Sequence, residues 1–171
     1  MTVRTRIEQA AKSVIGALSP RAEGPDILDT LETEHQEVQD LLEKLVDSEN
    51  GREQKQLLER VRRALVPHAK AEEKVVYDAV LTLRGREAKI DGNEGYMEHG
   101  LADQTLKRLD KLTANSAEFQ AAAKVLKDLV DHHVEEEERS IWAQVRGHFS
   151  GEQRERMNRD FLAAKTKIKL P

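Results

Sequence analysis

Apolar residues recur along most of this chain at spacings of three and four, the period of an α-helix with one buried face. Ile7, Ala10, Ala11, Val14, Ile15 and Leu18 make a first stripe opposite Arg4, Arg6, Glu8 and Lys12, which predicts an amphipathic helix within residues 1–19. The stripe has no aromatic and its polar face is mixed in sign, so it is expected to pack on the protein rather than lie on a membrane. Pro20, Gly24 and Pro25 then form a linker, and Asp26 is a suitable N-cap for a longer helix over 27–48. Its inner positions are Leu28, Leu31, His35, Val38, Leu42 and Leu45. The turn Glu49–Arg52 is short, so a second helix over 53–83 is predicted to return antiparallel, with Leu58, Val61, Leu65, His68, Glu72, Val75 or Val76, Ala79 and Leu83 inward. Pro67 predicts a kink just before His68. Residues 84–94 read as the longest connection. A third helix over 95–113 presents Tyr96, His99, Leu106 and Leu109, and a fourth, from about 117 to His148, presents Leu126, Val130, His133, Glu137, Ile141 and Val145. Ser150-Gly-Glu-Gln153 has the form of a capping box and opens a terminal helix within 150–168 bearing Met157, Phe161 and Leu162. Four helices over residues 26–148, flanked by two amphipathic ones, define an all-α chain.

The polar residues inside these stripes change the picture. His68-x-x-x-Glu72 and His133-x-x-x-Glu137 each place an imidazole and a carboxylate one turn apart on the same inner face. The likeness extends further, since His68-x-x-x-Glu72-Glu73-Lys74-x-Val76-Tyr77 lines up with His133-x-x-x-Glu137-Glu138-Arg139-x-Ile141-Trp142. Single histidines, His35 and His99, precede each motif; both follow a glutamate, Glu34 or Glu98, and both are followed by leucines seven and ten positions on. The chain is thus a duplicated helix pair with three donor residues per copy. A lone histidine on an apolar face is commonly a hydrogen-bonded core residue, and a carboxylate there is costly unless paired or bound to metal. Six such residues in register across four helices point to metal binding. His132 and Glu136 repeat the spacing, but their stripe leads to Ser140 instead of the apolar line, so His132 and His148 are read as peripheral. On an ideal helix Tyr77 and Trp142 fall about 180° away from the ligand face, which predicts that terminal helices or a second subunit cover them.

If Glu72 and Glu137 each bridge two ions, the six side chains supply four bonds per ion, and an oxo or hydroxo bridge makes five. Imidazole and carboxylate donors with open positions suit two non-haem iron ions first, with manganese or zinc behind. The absence of cysteine removes thiolate ligands and disulfides and suits a reducing cytoplasm. A net charge of -4 without a basic stripe argues against nucleic acid as a partner. No apolar run approaches the roughly 20 residues of a membrane span, and a cytoplasmic location is expected.

The order His35, His68-x-x-x-Glu72, His99, His133-x-x-x-Glu137 resembles the hemerythrin-like (HHE cation-binding) family over roughly residues 26–148. The resemblance implies an up-down-up-down four-helix bundle around a di-iron centre that binds or reacts with O2, peroxide or nitric oxide, with His35, His68, Glu72, His99, His133 and Glu137 as ligands. Two departures stand out. Asp103 occupies the position of a second histidine on the third helix of the oxygen carriers, and HxxxE replaces their HxxxxD ending. An extra carboxylate favours the oxidised state, so sensing, scavenging or peroxide disproportionation is expected ahead of reversible oxygen carriage, with Asp103 either an added ligand or a partner of His99. The alternative is a regulatory protein that reports iron or oxygen to a protein partner, or to a second copy of itself, through its terminal helices.

Overall fold

The computed structural model describes residues 24–170. The predicted helix within residues 1–19 lies outside them. The described residues are helical: α1 Ile27–Asp47, α2 Gly51–Glu72, a π-helical turn Glu73–Tyr77, α3 Asp78–Leu81, α4 Arg86–Leu109, α5 Ala117–Arg139, α6 Ile141–His148 and α7 Gly151–Lys165. Side chains start most of them. The Asp26 carboxylate accepts from Leu28 N at 3.1 Å, Asn50 from Arg52 and Glu53, and Ser116 from Phe119. Ser150 and Gln153 close the expected capping box.

Two apolar layers sandwich a polar one. Leu41, Leu42, Leu45, Leu58, Val61, Leu106, Leu109, Phe119 and Leu126 belong to one cluster; Ile27, Leu31, Val76, Tyr77, Val80, Ile141, Trp142, Val145 and Phe161 belong to the other. On each of the four long helical runs the predicted donors fall between these clusters in sequence. α1 and α4 meet the aromatic cluster first, whereas α2 and α5 meet it last. α7 lies against the aromatic side: Asn158 Nδ2 donates to Pro25 O at 3.0 Å, Phe161 is fully buried, and Leu162 stays exposed.

Three helix boundaries differ from the periodicity. Residues 86–94 are helical and belong to α4, so the connection between the two halves shrinks to the turn before Arg86. Gly92, which reads as part of the connection, and Gly95, at the expected start of the third helix, are there because a Cβ would come within 3.0 Å of Leu81 and 2.6 Å of the Tyr77 ring, respectively. Close packing outweighs their unfavourable helix propensity of about 1 kcal/mol each. The second helix continues through Pro67 but widens into the π turn immediately after Glu72. The fourth breaks at Ser140 (φ -99°, ψ -60°), whose hydroxyl donates to Glu136 O at 2.9 Å. Among the described residues no helix is long and apolar enough to cross a membrane.

Candidate metal centre

All six predicted donors are buried and brought together: His35, His68, Glu72, His99, His133 and Glu137 are each at most 6 % exposed. His35, His68 and Glu72 converge as one group, and Glu72, His99 and His133 as another, so Glu72 belongs to both. Glu137 Oε2 lies 3.5 Å from His35 Nε2 and 3.4 Å from His133 Nε2, and so spans the two groups from the other side. Glu72 Oε2 lies 3.4 Å from His68 Nε2 and 3.5 Å from His99 Nε2. Every imidazole therefore turns Nε2 inward.

Each Nδ1 turns outward to a carboxylate. His133 meets Glu98 at 2.7 Å, His68 meets Glu34 at 3.0 Å, His35 meets Glu138 at 3.1 Å and His99 approaches Glu73 at 3.4 Å without hydrogen-bond alignment. A carboxylate can only accept, so the three hydrogen bonds put a proton on Nδ1 of His133, His68 and His35 and leave Nε2 as the ring atom that can hold a cation. The duplication explains the pattern. The glutamate before each single histidine serves the HxxxE histidine of its own half, and the glutamate after each HxxxE serves the single histidine of the other half. Glu34, Glu73, Glu98 and Glu138 had no role assigned from the sequence, although their repetition at matching offsets was the signal.

Tyr77 and Trp142 complete the same symmetry, and here the ideal-helix expectation fails. The π turn admits an extra residue and resets the helical phase by about 100°, so Tyr77 is fully buried and faces the site. Its ring stacks on His99 at 5.2 Å, and its hydroxyl stands 3.4 Å from Glu72 Oε2, 3.5 Å from His99 Nε2 and 3.4 Å from His133 Nε2. The break at Ser140 does the same for Trp142, which stacks on His35 at 6.0 Å. Both aromatics reach across to the single histidine of the other half. Tyr96 supports the turn from α4, its hydroxyl donating within reach of Glu73 O at 3.0 Å and Asp78 Oδ1 at 2.8 Å.

Asp103 is not in the centre: it pairs with Lys107 at 2.6 Å on the surface, and Glu73 takes the place beside His99. His132 is exposed, with Nε2 3.8 Å from Glu98, and His148 is exposed as well.

Electrostatics follow the repeat too. Burial pushes His35 down to about 3 and His99 down to about 4, keeping both neutral. Burial also opposes charge on His68 and His133, but Glu72 with Glu34 raises the first to about 9, and Glu137 with Glu98 raises the second to about 10. Burial would raise Glu72, yet His68 outweighs it and holds the carboxyl below its ordinary range. Buried polar atoms nevertheless lack partners: His35 Nε2, Glu72 Oε1 and both oxygens of Glu137. Each such orphan costs about 1–3 kcal/mol. Four unpaired donor atoms facing one another inside a helical core, all nitrogen or oxygen, fit a hard or borderline cation.

The family profile described as the Hemerythrin HHE cation binding domain matches residues 26–145, the stretch that carries every one of these donors. A curated protein named "DNA nickase", from Nostoc sp. (strain PCC 7120 / SAG 25.82 / UTEX 2576), is 30 % identical over 169 residues, which cover 95 % of this chain and 47 % of that protein. The chain thus spans about half the length of that curated relative. No solved structure matches the chain. With its donors buried in register and the profile covering all of them, this chain belongs to the hemerythrin HHE cation-binding family.

Proposed function

We propose that this chain is a non-haem di-iron protein that binds or reacts with O2, hydrogen peroxide or nitric oxide. The two ions are assigned to His35, His68, His99 and His133, with Glu72 and Glu137 shared between them. The observation that supports this reading is the convergence of four buried Nε2 atoms on Glu72 and Glu137, with three of the four outward Nδ1 atoms hydrogen-bonded to a carboxylate. Iron suits the all-N/O donor set best, with manganese and zinc behind. We take the bundle as up-down-up-down over residues 26–148, with residues 1–19 and 150–168 as added helices; the alternating order in which α1, α2, α4 and α5 meet the two apolar layers supports it.

When bound, two ferrous ions supply two electrons to a small oxidant. The residues supply the rest. Glu34, Glu98 and Glu138 hold the imidazoles of His68, His133 and His35 by hydrogen bonds and raise their basicity, and Glu73 stands beside His99. The apolar layers on both sides keep out water and large substrates. Anaerobically reduced protein exposed to air should oxidise rapidly, and peroxide should be consumed. A long-lived oxygenated spectrum that reverses under vacuum would defeat this and indicate a carrier.

A regulatory reading is favoured by one contact. Lys165 Nζ on α7 reaches Glu34 Oε2 at 2.5 Å, and that same oxygen holds His68, so the terminal helix is tied to a proposed ligand. Metal-dependent capture of a protein partner without oxidant turnover would select it. DNA nicking is suggested by the printed name of the Nostoc relative, which is about twice as long. A net charge of -4 with mixed surface charge argues against a nucleic-acid face here. Supercoiled plasmid should stay intact with this chain; its metal-dependent relaxation would overturn that assignment.

A further inference from the structure

The duplicated halves place an aromatic at the same position, but only one of them carries an oxygen. Tyr77 Oη is not merely near the site. Glu72 Oε2, His99 Nε2, His133 Nε2 and Tyr77 Oη form a four-cornered cage, and five of its six edges measure 3.1–3.5 Å. The sixth, between Glu72 and His133, is within 4.8 Å. Donors bound at about 2.0–2.2 Å stand roughly 2.8–3.6 Å apart, between the edge of an octahedron and that of a tetrahedron. The phenol oxygen is therefore 3.4–3.5 Å from each of its three neighbours, within the range of two bound donors, while Glu72 and His133 stand further apart from each other.

The surroundings hold it there. Gly95 leaves room for the ring, since a Cβ would lie 2.6–2.8 Å from three of its atoms, and His99 and Tyr96 flank it with ring centroids at 5.2 and 5.6 Å. The π turn exists at the one place where an unbroken helix would have pointed this residue away. At the other end Trp142 stacks on His35 and offers no oxygen.

We propose that Tyr77 is a seventh metal-binding side chain, its phenolate oxygen coordinating the ion held by Glu72, His99 and His133. The phenol proton leaves to solvent as the ion is taken up. This rests on the di-metal reading above, and it makes the two ends of the duplicated site chemically unequal: one end has a phenolate, the other an indole.

The test uses the full chain loaded anaerobically with ferrous iron and then oxidised. Ferric phenolate absorbs in the visible and gives enhanced tyrosine ring modes in resonance Raman spectra. The chain has two tyrosines, so Tyr96→Phe is the natural control. Wild type and Tyr96→Phe should show the band and the ring modes, and ring-deuterated tyrosine should shift those modes. Tyr77→Phe should lose both while keeping about as much iron as wild type. Iron present at wild-type level with no tyrosine modes, or modes that survive in Tyr77→Phe, would overturn the proposal and leave the metal site standing. Failure of wild type to bind iron would overturn both.

Discussion

Replacing Gly95 with alanine sets two effects of opposite sign against each other. In an open helical position the change should stabilise by about 1 kcal/mol, because alanine is the better helix former. At Gly95 the new methyl would stand 2.6 Å from two Tyr77 ring carbons and 2.8 Å from its oxygen. The ring is a rigid plate with His99 and Tyr96 beside it, so it cannot turn aside cheaply. Such overpacking costs about 1–3 kcal/mol, and contact with three atoms belongs at the upper end. The net loss is then about 2 kcal/mol. For a chain of this size 1 kcal/mol moves Tm by about 2–4 °C, so metal-free Gly95→Ala should melt about 4–8 °C below wild type. Gly100 lies on the same helix with nothing within 4 Å of its would-be Cβ, and Gly100→Ala should melt about 2–4 °C higher. Calorimetry on the two variants decides the matter. If Gly95→Ala were as stabilising as Gly100→Ala, the Tyr77 ring would not occupy the place described.

The metal-free protein should be most stable near neutral pH. His68 and His133, raised to about 9 and 10, contribute stability below about pH 6.5 that is lost as pH climbs through those values; His35 and His99, lowered to about 3 and 4, contribute stability above about 6.5 that is lost as pH falls toward them. A Tm that rises steadily from pH 6 to pH 10 would contradict the charge assignment. Because the same two histidines carry protons at pH 7, metal uptake should release about two protons from them, visible as a buffer dependence of the binding heat. Glu34→Ala and Glu98→Ala should each weaken metal binding by about 10- to 100-fold, and by similar factors, since the carboxylates are repeat equivalents holding His68 and His133. Metal at about 1,000 times its Kd should add about 4 kcal/mol and raise Tm by about 8–16 °C; equal melting of the loaded and metal-free forms would mean that no ion binds in the core.

The buried histidine and glutamate cluster was legible because two periods coincide. Helical spacing put His35, His68, Glu72, His99, His133 and Glu137 on inner faces, and the duplication chose His133 over His132. Ends marked by side-chain caps, such as Asp26 and Ser150, were also readable. What escaped the sequence depends on departures from an ideal helix. The π turn at Glu73–Tyr77 and the break at Ser140 rotate Tyr77 and Trp142 by a fraction of a turn that no 3.6-residue count contains. Gly92 looked like a loop residue and Gly95 like a helix start because their reason, close approach of Leu81 and Tyr77, is tertiary. Asp103 was read one turn after His99 and so beside it, but Lys107, one turn further on, draws it to the surface.

The proposed function requires the six buried side chains to hold two iron ions. Its most direct test is metal analysis of protein purified anaerobically from an iron-replete source, wild type beside Glu72→Ala/Glu137→Ala. Wild type should carry about two iron ions per chain, and the double variant should lose most of them. Unchanged metal content in that variant, or about one ion per wild-type chain, would contradict it.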